Sequence, residues 1–165
     1  MSSGQGEDSG SGLDLETMRG RDWPSVRRFN VFVANRLGGL ADVVRRFEST
    51  DVHIVALTVV DSADCAIIRL VLSDPERALE IFEQAKLPIT ESDLLVVKLP
   101  AARQPLAQIC KALLAAEINI HYAYPLLVGP DGSAALALHV DEHETAVTTL
   151  ERQGFTIFTE NDLAQ

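Results

Sequence analysis

Apolar residues along this chain recur in two rhythms that alternate in a fixed order. Val31 and Val33 alternate with Phe32 and Ala34, which is strand spacing, and a strand is expected over 27–35. Leu40, Val43, Val44 and Phe47 then fall on one helical face, so a helix is expected over 39–50 after a turn at Gly38-Gly39. Val52 to Val60 is a β-branched strand, and Asp61 to Asp64 is a hairpin-type turn into a strand over Cys65 to Leu72. Ser73 or Asp74 can cap a helix that Pro75 opens, with Ala78, Leu79 and Phe82 on its apolar face. Leu87 to Asp93 returns as a strand. The order is β-α-β-β-α-β.

The pattern is then written again. Leu94 to Leu99 reads as a strand, and Leu106, Ile109, Cys110 and Leu113 as a helix face. Ile118 to Val128 is a strand, Gly129 to Gly132 a turn, and Ala134 to Val140 a strand. A helix follows from Asp141 to Gln153, ended by Gly154, and Phe155 to Glu160 is the last strand. Leu40-Ala41 answers to Leu106-Ala107, and Val52 and Ile54 answer to Ile118 and Ile120, at one constant offset. Thr90-Glu91-Ser92-Asp93-Leu94 is matched by Thr159-Glu160-Asn161-Asp162-Leu163. The chain is read as a tandem duplication.

That order predicts an α+β class: two ferredoxin-like βαββαβ sandwiches. Their sheets are expected side by side as eight antiparallel strands with the helices on one face. Residues 1–24 are read as a flexible tail, 25–92 as the first unit and 93–165 as the second. Within the tail, residues 1–12 are Ser/Gly-rich and acidic, and Leu13 to Arg21 could form a short helix. Trp23 is expected to pack on the folded body.

Charge narrows the function classes. The 165 residues carry 14 basic and 24 acidic side chains, a formal net charge of −10. This disfavours a nucleic-acid surface or an anionic membrane surface. No apolar run approaches the roughly 18 residues of a membrane span, and the N-terminus has no secretory pattern, so a cytoplasmic protein is expected. Cys65 and Cys110 lack zinc spacing and are read as buried free thiols. No metal or cofactor is expected.

The fold alone assigns no function, so its variants are compared at their sites. An RNA-binding version needs stacking aromatics on its third strand, and the runs CAIIRLVL and AALALHV have none. A metal carrier needs a Cys-x-x-Cys at the first turn, which neither unit has. An acylphosphatase-like enzyme needs an arginine-bearing phosphate loop there; the residues around Arg36 and Arg103 do not support one.

The stretch Asn35-Arg36-Leu37-Gly38-Gly39-Leu40-Ala41 resembles the Asn-x-Pro-Gly-x-Leu signature of ACT domains, small modules that sense amino acids. Glu117-Ile118-Asn119-Ile120 is similar to the family's entry into strand two. Leu37 stands where the family has proline, which leaves the turn less stiff. The resemblance covers about 27–163. It implies an effector at the seam between two units, held by the first turn of one and strand two of the other. An amino acid brings a carboxylate that needs donors and an ammonium that needs acceptors, and an Asn amide offers both.

The copies differ at these positions. Copy one has Asn35, Gly38 and Gly39, where copy two has Ala101, Gln104 and Pro105. Strand two enters with His53 in copy one and Asn119 in copy two. One composite site is therefore expected, from Asn35, Leu37, Gly38, Gly39, Leu40, Asn119 and Ile120, with an apolar lining that suits a small or branched amino acid. The resemblance implies a non-catalytic sensor that signals through a partner protein, as a homodimer. Two alternatives stand beside it: a regulatory subunit of an acetolactate synthase-type biosynthetic enzyme, and an interaction module without ligand.

Other polar residues are read structurally. Tyr122 and Tyr124 share one face of their strand, as sheet packing or as a pocket lining. His121, His139 and His143 show no metal spacing. Arg27-Arg28 and Arg45-Arg46 are read as solvated, and no acids form an acid/base pair with a nucleophile.

Overall fold

The computed structural model describes residues 23–164. The tail over 1–12 and the helix over 13–21 lie outside them. Seven strands and five α-helices follow in order: β1 (Val26–Ala34), α1 (Gly39–Val44), β2 (Ile54–Asp61), β3 (Cys65–Leu72), α2 (Pro75–Gln84), β4 (Ile89–Lys98), α3 (Pro105–Ala115), β5 (Ile120–Pro125), β6 (Ala135–Val140), α4 (His143–Arg152), β7 (Ile157–Phe158) and α5 (Glu160–Leu163). Single 3₁₀ turns extend α1 over Arg45–Phe47 and fill Pro130–Gly132.

Local chemistry places the helix ends. Asp74 caps α2, its side chain accepting from the Arg77 N–H at 3.1 Å, with Pro75 at the first position. Gly154 closes α4 at φ 86°, a left-handed angle that costs glycine little. The last strand is shorter than expected, because Thr159 and Asp162 form a capping box that starts α5 instead.

The eight expected strands are seven because the last of unit one and the first of unit two are one strand. Antiparallel register pairs β1 with β4 from Val31↔Ile89 to Val26↔Leu94. One residue on, β6 takes over with Leu95↔Leu138 and runs to Lys98↔Ala135, while β7 pairs with Val96 and Val97. The sheet path is β2-β3-β1-β4-β6-β5. Each half keeps the strand order of a ferredoxin-like unit, and the boundary expected at 92/93 falls inside β4.

Three apolar layers follow from period two. On β4, Leu95 and Val97 face α3 and α4, whereas Leu94 and Val96 face the other way. All four are fully buried, as a continuous apolar run requires. Phe29, Val31, Ile68, Leu70 and Phe82 form the corresponding helix-side core of unit one. Between the units, the sheet curls so that the face turned away from α1 to α4, free of helix among the described residues but for the single turn α5, closes on itself around Val26, Val55, Val71, Leu94, Val96, Tyr124, Phe158 and Leu163 of α5. A hydrogen bond from the Leu127 N–H to the Val55 carbonyl at 2.8 Å brings β2 alongside the end of β5.

Two side-chain expectations are corrected. Cys65 is half-buried and Cys110 exposed, because α3 buries Ile109, Ala112 and Leu113 and turns Leu106 and Cys110 outward. Arg28 is 4% exposed, since the curl covers the face of β1 on which it lies. Trp23 is 40% exposed, so more than half of its surface is covered. Among the described residues no helix is long and apolar enough to cross a membrane.

Candidate functional site at the seam of the two units

The first turn of unit one behaves as its glycines suggest, with one refinement. Gly38 sits at φ 83° as the N-cap of α1, and no side chain caps it. Gly39 is buried at an ordinary angle, and a Cβ there would make only van der Waals contact with the Ala34 carbonyl at 3.5 Å. Asn35 donates from Nδ2 to the Ser62 carbonyl at 2.9 Å, which ties the turn to the β2–β3 hairpin. Arg36 pairs with Asp42 at 2.6 Å. Leu37 is 99% exposed and Leu40 39% exposed, so within one chain Leu37 lines no pocket.

Asn119 and Ile120 lie on unit two. The Asn119 N–H donates to an Asp141 carboxylate oxygen at 3.1 Å, and Ile120 packs with the helix-side core of that unit. Among the described hydrogen bonds and core clusters, none joins Asn119 or Ile120 to the Asn35–Leu40 turn. The seven residues expected together thus stand as two groups on different units.

The seam carries a groove elsewhere. It encloses about 640 Å³ between His53, Ile54, Val55 and Ser73 of unit one and Val128 to Gly132, Asp162 and Leu163 of unit two. Strand two of unit one enters at this point, so it is His53 and Ile54 that meet the other unit. The His53 N–H donates to Ser73 Oγ at 2.8 Å, and the Ser73 N–H to the His53 carbonyl at 3.0 Å. Opposite them the Gly129–Gly132 turn is held by a Ser133 Oγ donation to the Pro130 carbonyl at 2.6 Å. Gly129 is packed so tightly that a Cβ would lie 2.0 Å from the Ser133 carbonyl oxygen. The groove is lined by apolar Ile54, Val55 and Leu163, by the buried Ser73 hydroxyl, and by the His53 imidazole and the Asp131 and Asp162 carboxylates. That set can meet an ammonium, a carboxylate and a short aliphatic side chain together.

At the opposite end of the face turned away from α1 to α4 stands a polar group. Arg28 and Arg69 place their guanidinium carbons 5.2 and 4.4 Å from the Tyr122 ring centre, and His139 stacks on Tyr122 at 5.2 Å. Burial pushes the Tyr124 hydroxyl above its ordinary range, an effect that nearby Arg28 partly offsets. Burial lowers His139 from its ordinary 6.5; the Asp93 carbonyl opposes this, and the charges of Arg28, His121 and Arg69 add to it. The folded state therefore holds fewer protons at His139 than the unfolded chain. Stability from this residue is complete above pH 6.5 and is lost as pH falls through the lowered value. His139→Gln is expected to flatten that acid limb in urea melts run across the range; an unchanged slope would assign it to other groups.

In the sequence Arg28 reads as solvated and Ser73 as a possible helix cap, and nothing marks Arg69. The available signal was parity: Arg28 and Asn30 share a strand face with Val26, and a duplicated sheet with no second helix layer must cover that face with itself. Among the described residues no His, Cys, Asp and Glu group could hold a metal ion.

A family model described as an ACT domain pair matches residues 25–165. No protein of curated function matches the chain. Among solved structures, a protein from Bacteroides thetaiotaomicron is similar at 20% identity and a TM-score of 0.76, covering 86% of this chain and 96% of its own. The ligand-free regulatory subunit of aspartate kinase from Thermus thermophilus is similar at 12% identity and a TM-score of 0.52, covering 82% of this chain and 96% of its own. At these identities the likeness is one of fold.

Proposed function

We propose, because the chain belongs to the ACT domain-pair family, that it is a non-catalytic sensor that binds a small amino acid between its two units and signals to a partner protein. A regulatory, ligand-binding role is what the family supports. The groove of about 640 Å³ at the seam carries the finer reading, because it brings strand two of unit one against unit two. In this reading His53 and Ser73 would meet the carboxylate and Asp131 the ammonium. The apolar lining favours a short or branched side chain.

The Asn35–Leu40 turn then has a different part in the same reading. An exposed pair of leucines beside an uncapped helix start is a surface that a second copy or the regulated enzyme can cover. In a homodimer, the turn of one chain and Asn119 of the other could complete the composite contact that one chain leaves apart. A solved aspartate kinase regulatory subunit of the same fold supports a biosynthetic enzyme as the class of partner.

Thermal denaturation with each amino acid in turn tests the reading. One small or branched amino acid is expected to raise the midpoint in steps that grow with the logarithm of its concentration, by about 2.7 kcal/mol of added stability at a hundredfold excess over Kd. No shift with any of them would leave an interaction module as the better account.

A further inference from the structure

We propose that the face turned away from α1 to α4 holds a second, separate binding site, for the carboxylate of a small organic acid, built from Arg28 and Arg69 around Tyr122. It does not depend on the amino-acid reading of the seam groove. Six buried side-chain polar atoms lack a partner among the described residues, and five of them lie on Arg28, Asn30, Arg69 and Tyr124. They are Nε and Nη1 of Arg28, Nε of Arg69, Oδ1 of Asn30 and the Tyr124 hydroxyl. Buried polar atoms are ordinarily satisfied, so their concentration in one place marks something that the folded chain does not supply.

Register explains the concentration. Asn30 and Arg69 are direct cross-strand partners on β1 and β3, and Arg28 follows two residues along on the same face. Tyr122 and Tyr124 approach from β5 across the curl. Asn30 is 9% exposed and Arg28 4%, while Tyr122 is 39% exposed. Asn30 is braced by donations from Nδ2 to Thr90 Oγ1 at 3.1 Å and Ser92 Oγ at 3.4 Å.

Charge selects the class of ligand. A guanidinium stays protonated at any working pH. The four ion pairs among the described residues use Arg27, Arg36 and Arg77, and none reaches Arg28 or Arg69. This holds although acidic residues outnumber basic ones, 24 to 14. Stacking on Tyr122 offsets part of the cost of burying two cations together. Water could fill the hydrogen bonds but would leave both charges uncompensated. A carboxylate supplies the missing charge, and its two oxygens match the Nε–Nη edge of a guanidinium. The unfilled Asn30 Oδ1 only accepts, so a second group of the same acid that meets it is a donor such as a hydroxyl, while the Tyr124 hydroxyl lies within reach of Arg28.

Nitrogen-15 NMR of the arginine Nε–Hε groups of the full chain reads the site directly. Acetate and succinate are titrated against sodium chloride and inorganic phosphate at matched ionic strength. Saturable shifts of the Arg28 and Arg69 signals are expected with the carboxylates, with Kd at least about tenfold weaker in Arg69→Lys, which keeps the charge but loses the fork. No saturable shift, shifts with chloride alike, or unchanged affinity in Arg69→Lys would overturn the proposal. Saturation by phosphate alone would replace the carboxylate with a phosphate ligand and so overturn it too. A null result in the amino-acid melts leaves this outcome unaffected, because the probes and the residues are different.

Discussion

Phe82→Ala is expected to destabilise the chain by about 3–5 kcal/mol, the range for truncating a fully buried aromatic. Phe82 is 0% exposed on α2 and meets Phe29 of β1 at 5.3 Å and Phe47, at the end of the first helix, at 5.5 Å. The second contact is edge-on, the favourable geometry, and pairs of this kind add about 0.5–1.5 kcal/mol beyond buried area. One ring thus holds α2, β1 and the first helix together, and no neighbour can close the space it leaves. Urea unfolding of the variant checks this, with Leu106→Ala, 52% exposed, as a reference near zero. A loss below about 1 kcal/mol would mean that unit one repacks, contrary to the rigid core described.

Glu160→Ala is expected to cost about 3 kcal/mol, although Glu160 lies just five residues from the C-terminal end of the sequence given. Its carboxylate accepts from the Arg27 backbone N–H at 3.0 Å, from Nε at 2.9 Å and from Nη2 at 3.1 Å. The Glu160 side chain is 8% exposed and that of Arg27 27%, so solvent screens the pair weakly. The Glu160 carboxylate holds the Arg27 guanidinium above its ordinary range. Removing it leaves a half-buried cation with only the exposed Glu76 at 2.5 Å, and a backbone donor without an acceptor. Glu160→Gln keeps acceptors and should lose less. Because β4 and the core between the units are shared by both, the whole chain of the variant should still unfold in one step. Loss of unit one's signal without loss of unit two's would contradict the shared core.

The duplication, the strand-helix order and most element boundaries were legible because each rests on local chemistry. Pro75 after Asp74, Gly154 after α4 and the Asp61–Asp64 turn ahead of the apolar run Cys65–Leu72 act within a few residues. The merging of two strands into β4 was not legible from periodicity. The run from Ile89 to Lys98 has no breaker, and its division depends on which partner pairs at Leu94 and which at Leu95. The fully apolar Leu94 to Val97 did carry a usable sign, since a strand covered on one face alone would alternate. The candidate site was less legible. Resemblance pointed to the first turn and strand two, but which strand-two entry meets the other unit is set by the curl of the sheet. That curl brings His53 rather than Asn119 to the seam groove. Arg28 and Arg69 were hidden for the same reason: they are far apart in sequence, and only long-range pairing places them together.

Binding of one small amino acid per chain at the seam can be measured by calorimetric titration of the amino acid that raises the melting point, into wild type and His53→Ala. One site per chain is expected in the wild type, with affinity at least about tenfold weaker in the variant, a loss of about 1.4 kcal/mol. Two equal sites per chain, or an affinity that His53→Ala leaves unchanged, would contradict the proposal.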